Sequence, residues 1–174
     1  MHHHHPRHTA VAAAGILLTA TAGAAAPASA ATESGASGRT PATALVVNAH
    51  WAGHCSFDRL VIHVRGTMPP VTVKPVRHLR YDGSGKRVPL AGRYFLEIKL
   101  SPAAAHNQAG KPVYRGPRLL KIHLPKLKGL ALTGDFEGVV TFGTAFKTKP
   151  HYKAYTVPRP ARLVLDVKHT NICT

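Results

Sequence analysis

The chain has 174 residues, with 23 Lys and Arg against seven Asp and Glu, a formal net charge of +16 with His neutral, and two Cys. That length argues for one folded domain rather than several. The charge excludes an acidic surface and predicts attraction to polyanions: teichoic acids, acidic glycans, anionic lipid headgroups or nucleic acid.

In chain order, "MHHHHPRH" is a short polar start, "TAVAAAGILLTATAGAAA" an apolar run, and "ASA" places small residues at Ala28 and Ala30. This is the layout of a cleavable secretory signal over residues 1–30, and the four histidines read as part of it rather than as a tag. The apolar run is too short for a good membrane span. No Cys stands just after the cleavage point, which argues against a lipid-anchored lipoprotein, and no twin-Arg pair precedes the run, which points to the general secretory route. Residues 31–44, "ATESGASGRTPATA", are small and polar and predict a disordered linker.

Apolar residues become dense at Leu45, and residues 45–172 are expected to form the domain. In "FDRLVIHVRG", Leu60, Ile62 and Val64 alternate with Val61, His63 and Arg65. "RYFLEIKL" sets Tyr94, Leu96, Ile98 and Leu100 against Phe95, Glu97 and Lys99. "LLKIHL" repeats the pattern with Leu120, Ile122 and Leu124, and "ARLVLDVKH" with Leu163, Leu165 and Val167. Period-2 alternation of this kind marks strands with one buried face. "TMPP", "DGSGK", "SPAAAHNQAGKP", "RGP" and "VPRP" separate them as breakers. One helical turn is predicted in "SPAAAHNQA", with Ser101 as its cap and Pro102 at its first position. The expectation is an all-β domain, a single sandwich of seven to nine short, mostly antiparallel strands.

Cys55 and Cys173 are expected to pair, because two cysteines in an exported chain form a disulfide by default. The chain-entropy model gives roughly 4–5 kcal/mol for closing a loop that long.

Asp135 and Glu137 in "TGDFEGVVTFGTAF" stand out in so basic a chain. On a strand they would share one face about 7 Å apart, a spacing that invites comparison with glycosidase carboxylates. Two acids projecting side by side do not flank a substrate, however, and Gly134 and Gly138 signal a turn or bulge. The expected role is structural, held ionised by Arg or Lys neighbours. Asp58 in "CSFDRLV" reads as a local ion pair or strand-start cap, and Asp166 as the partner of a cross-strand cation. His50 and His54 flank "WAG" beside Cys55, a spacing that invites zinc. With no second ligand cluster and Cys55 expected in a disulfide, no metal and no cofactor is expected. Neither a GxSxG motif nor a phosphate-binding Gly loop is present, so no catalytic residue is assigned. The candidate ligand-binding residues are basic and aromatic: Trp51, which lies in a loop-like stretch between two His, with Lys74, Arg77, Arg80, Tyr81, Lys147, Lys149, Tyr152 and Lys153. Export makes nucleic acid the less fitting target.

Three stretches, "SFDRLVIHVRG", "GDFEGVVTFGTAF" and "RPARLVLDVKH", together resemble the AMIN-like domain of secreted actinobacterial proteins, over roughly residues 45–171. "YDGSGKRVPLAGRYFLEIKLSPA" between them also fits. The resemblance implies a β-sandwich related to the AMIN domains of cell-wall amidases, which localise partners by binding peptidoglycan or other envelope material. It supplies no catalytic residues, and no amidase is expected after the sandwich. The functional expectation is a secreted, non-catalytic domain that binds peptidoglycan or an anionic wall polymer through a basic surface. The alternatives are an interaction protein whose ligand is another envelope protein and, third, a wall hydrolase.

Overall fold

The computed structural model describes residues 43–173. The expected signal over 1–30, and the expected linker apart from its last two positions, lie outside the described residues. Ten strands follow one another: β1 (Ala44–Gly53), β2 (Phe57–Arg65), β3 (Val71–Val76), β4 (Tyr94–Leu100), β5 (Ala103–Ala104), β6 (Leu119–Lys121), β7 (Leu127–Phe136), β8 (Val139–Phe146), β9 (Tyr152–Pro158) and β10 (Ala161–Lys168). They form two five-stranded sheets, β5-β1-β2-β10-β9 and β3-β4-β8-β7-β6. Every pairing is antiparallel except that of β5 with β1. The domain is an all-β sandwich.

The alternation seen in the sequence becomes the core. Leu60, Ile62 and Val64 of β2 and Leu163, Leu165 and Val167 of β10 bury one face of the first sheet. Leu96, Ile98 and Leu100 of β4, Val140 and Phe142 of β8, and Leu130 and Leu132 of β7 bury the facing side of the second. Tyr114 meets the edge of Phe142 with ring centroids 5.6 Å apart, and its burial pushes the phenol up to about 12. An irregularity between Val46 and Asn48 inserts one residue into β1. That bulge keeps both Val46 and Ala49 buried while Asn48 pairs with outward His63.

The two sheets differ on their outer sides. Residues 77–93 fold over the second sheet, seating Leu79, Val88 and Leu90 on Ala131 and Ala145 in a smaller apolar cluster. Glycines permit the approach: a Cβ at Gly143 would lie 2.6 Å from Leu79, and one at Gly129 2.6 Å from Leu90. A Cβ at Gly134 would strike the Asp82 carboxylate, whose Oδ2 accepts a bond from the Thr141 hydroxyl at 2.7 Å. On the first sheet the outward residues Val61, His63, Tyr155, Val157 and Arg162 remain partly exposed.

One end of the sandwich is closed by polar and covalent ties. Asp58 is fully buried, and its Oδ2 accepts the backbone N–H groups of Lys126 and Leu127 at 2.6 and 2.8 Å. Its Oδ1 lies 3.3 Å from His169 Nε2, also buried. Cys55 and Cys173 form a disulfide that closes a loop of 118 residues' separation.

Four details differ from the sequence expectations. Ten strands exceed the seven to nine anticipated, because β5 and β6 are two- and three-residue pairings with no alternation of their own. The predicted helical turn after Ser101 is absent. Ala103, Ala104 and Ala105 are buried, small enough to lie close against the sandwich, and Ala103 N–H donates to the Gly138 carbonyl. Trp51, expected in a loop, belongs to β1 opposite Leu60. Finally, "TGDFEGVVTFGTAF" is a hairpin rather than one strand. Phe136 pairs with Val139, leaving Glu137 and Gly138 as a two-residue loop with φ of 48° and 75°. Two successive positive φ values are the type I′ geometry that the right-handed twist of the flanking strands selects.

Two stability outcomes are expected. Gly143→Ala should push Leu79 off the second sheet and lower unfolding free energy by about 1–3 kcal/mol in chemical denaturation. Glu137→Asn should raise it by about 1 kcal/mol, because Asn tolerates the left-handed conformation that Glu resists, read as a higher midpoint in thermal unfolding.

Candidate anion-binding face

The nine candidate ligand residues fall on both sheets. Lys74 lies on edge strand β3 and pairs with Glu97 at 3.2 Å. Arg77, Arg80 and Tyr81 belong to the segment covering the second sheet, where Arg80 donates to the Gly85 carbonyl at 2.7 Å. Lys147 and Lys149 are exposed between β8 and β9. Tyr152 of β9 packs against the core, while Lys153 stands 5.6 Å from the Tyr155 ring. Trp51 is 37% exposed near the end of β1.

Among the described residues the acids are committed to internal contacts, with one exception. Asp58 binds the backbone amides described above. Asp166 takes both forks of Arg59, from Nε and Nη2 at 2.7 and 2.8 Å, and this pairing raises the Arg59 guanidinium above its ordinary value. Asp135 accepts the Ala105 N–H at 2.8 Å and meets His106 Nδ1 at 2.8 Å, in place of the Arg or Lys expected beside it. Glu97 lies between Lys74 and Lys99. Glu137 is the exception, exposed at the hairpin turn and no longer side by side with Asp135 on a strand. Among the described residues, Arg59, Lys74 and Lys99 are the Lys and Arg side chains that meet a carboxylate.

Strand register arranges the outer face of the first sheet in rows. Asn48, His63, Arg162 and Val157 run across β1, β2, β10 and β9 in one row. His50, Val61, Val164 and Tyr155 form the next, then Ala52, Arg59, Asp166 and Lys153. The result is an open depression of about 280 Å³ with Val61, Val157 and Val164 among its lining and the cations around it. In the third row one charge pair is closed and Lys153 is left without a carboxylate. Arg59 and Asp166 neutralise each other, and Tyr155 joins them by accepting from Arg59 at 3.2 Å and donating to Asp166 at 3.4 Å.

The first two rows carry positive and protonatable groups without a carboxylate. Hydrogen bonding defines the state of His50: Asn48 Oδ1 accepts the Ala49 N–H at 2.9 Å, so its amide nitrogen is the group 3.0 Å from His50 Nε2. An amide nitrogen only donates, so Nε2 accepts and the ring proton sits on Nδ1. His63 meets His50 edge-on with centroids 4.9 Å apart. Burial, reinforced by His50 and Arg162, lowers the His63 pKa below its ordinary 6.5. Chemically this face can accept an anion over an apolar floor; it offers no activated nucleophile. In the sequence His50 invites zinc, and neither His63 nor Arg162 is singled out as a site residue. The signal that finds the group is strand alternation combined with the pairing of β10 to β2, and alternation by itself does not reveal the partner strand.

A family model for the AMIN-like domain matches residues 44–169. The chain belongs to the AMIN-like domain family. The match begins at the first residue of β1 and ends just past β10, spanning the whole sandwich. No curated protein and no solved structure matches the chain. Membership of this family suggests a cell-wall-associated binding domain, and AMIN-like domains are generally non-catalytic.

The His63 environment sets a pH dependence for the AMIN-like domain. Its imidazolium is disfavoured in the folded state, so the unfolded chain binds the proton more readily. This contribution is fully present above the ordinary value of 6.5 and is lost as pH falls from there through the lower folded value. Urea midpoints measured at about pH 7.5 and about pH 5 should therefore separate more for wild type than for His63→Gln.

Proposed function

We propose that this AMIN-like protein is exported and binds the cell envelope through anionic glycans or other anionic wall polymers, without catalysing a reaction. The carrying observation is the disposition of charge: the few carboxylates are largely spent on the protein's own amides and side chains, while most Lys and Arg have no carboxylate partner among the described residues. Unpaired cations in water are cheap to keep, and they concentrate polyanions through the summed field. The Cys55–Cys173 disulfide supports an oxidising destination. Capture is electrostatic and close contact adds hydrogen bonds, drawn from the outer face of the first sheet and from Arg77, Lys147 and Lys149.

A second reading, a protein ligand in the envelope, draws on Phe136, which is 71% exposed at the hairpin beside Leu119 at 42%.

Co-sedimentation with purified cell walls separates the two. Binding should be clear at low salt and fall by about tenfold or more at high salt, as screening removes interactions between exposed charges. Absence of binding at low salt overturns the polymer reading. A salt-insensitive complex with one envelope protein, lost on Phe136→Ala, favours the second.

A further inference from the structure

We propose that the outer face of the first sheet binds a phosphodiester oxyanion at Arg162, and that an anion bound there favours a proton on His63. The inference deepens the reading of the protein as a binder of anionic wall polymers and rests on it.

The surroundings of His63 leave its charge unbalanced. On β1 it faces Asn48 and His50, with Asn48 directly across and His50 in edge contact. On its own strand, Arg59 and Arg65 share its face. On β10 it lies opposite Arg162, and Asp166 lies further along the same face. On β9 the outward groups are Tyr155 and Lys153. Asp166 is the one carboxylate in this set, and both its oxygens are engaged by Arg59. Arg162 and His63 therefore stand together without an anion.

The ligand that such a pair suits is of a definable kind. Arg162 presents a fork of donors that matches two oxygens of an oxyanion. A phosphodiester has two such oxygens, one for the guanidinium and one for a ring N–H of His63. The carbons on either side of it would meet Val61, Val157 and Val164 in the depression. Once the anion is present, the causes that oppose the His63 proton are offset by an opposite charge at contact distance. His50 is the less suited acceptor, because its Nε2 lone pair is already used by Asn48. Binding and protonation then favour each other by the same factor, as linkage requires.

The test uses a synthetic glycerol phosphate oligomer, whose single charge per unit is constant across the pH range examined. Its binding to the exported chain is measured at low salt at about pH 7.5 and about pH 5.5, with the His ring protons followed by NMR. The affinity should rise by roughly three- to tenfold at the lower pH. The His63 titration midpoint should move up by about 1 pH unit when the oligomer is present. His63→Gln should flatten the pH profile, and Arg162→Gln should weaken binding at both pH values. If His63→Gln does not fold, the wild-type NMR titration still decides. Binding that persists with the His63 midpoint unmoved overturns this inference and leaves the polymer reading standing. No binding of the oligomer at either pH also overturns this inference, and the polymer reading is then decided by the wall co-sedimentation alone.

Discussion

The buried carboxylate of Asp58 is the interaction on which the assembly of the sandwich depends. It belongs to β2 in the first sheet, yet both its hydrogen bonds go to the amides of Lys126 and Leu127, where the second sheet's β7 begins. Its other oxygen faces His169 at the end of the chain. A fully buried charge is tolerable only where such donors replace water. Close by, the disulfide holds Cys173 to Cys55, and Ile172 N–H donates to the Cys55 carbonyl. First sheet, second sheet and C-terminal segment thus meet at one end.

With that end closed, the second sheet is partly closed outward as well. Gly129, Gly134 and Gly143 lack the side chains that would hold off residues 77–93, so an apolar cluster covers part of this sheet's outer side, while Lys74, Glu97 and Lys99 pair on the rest. The first sheet has no such glycines on its outward positions; Arg59, His63, Arg162 and Tyr155 stand there instead. The sandwich is therefore asymmetric, with a face that serves stability and a face that offers charge. That asymmetry turns a high net charge, by itself only a solubility property, into a located surface with an apolar floor and donors from several strands.

The signature hairpin shows how the reading of a residue changes between levels. Asp135 and Glu137 two positions apart suggest a paired-acid site on one strand. In the structure the pair is divided by function: Asp135 anchors Ala105 and His106, while Glu137 sits in a tight turn with positive φ. Gly138 signals the turn in the sequence, but the partner of Asp135 comes from 29 positions away, and no local pattern encodes it. The same holds for Arg59 with Asp166, whose separation is 107.

The sequence by itself determined the fold class, the core faces of β2, β4 and β10, the disulfide and the surplus of positive charge. These depend on composition and on alternation with a period of two, which are properties of short stretches. Only the tertiary structure decided which outward faces are free, which acid neutralises which cation, and that His50, His63 and Arg162 form one group. Those facts depend on strand order and register, and register is set by the simultaneous burial of all the strands rather than by any one of them.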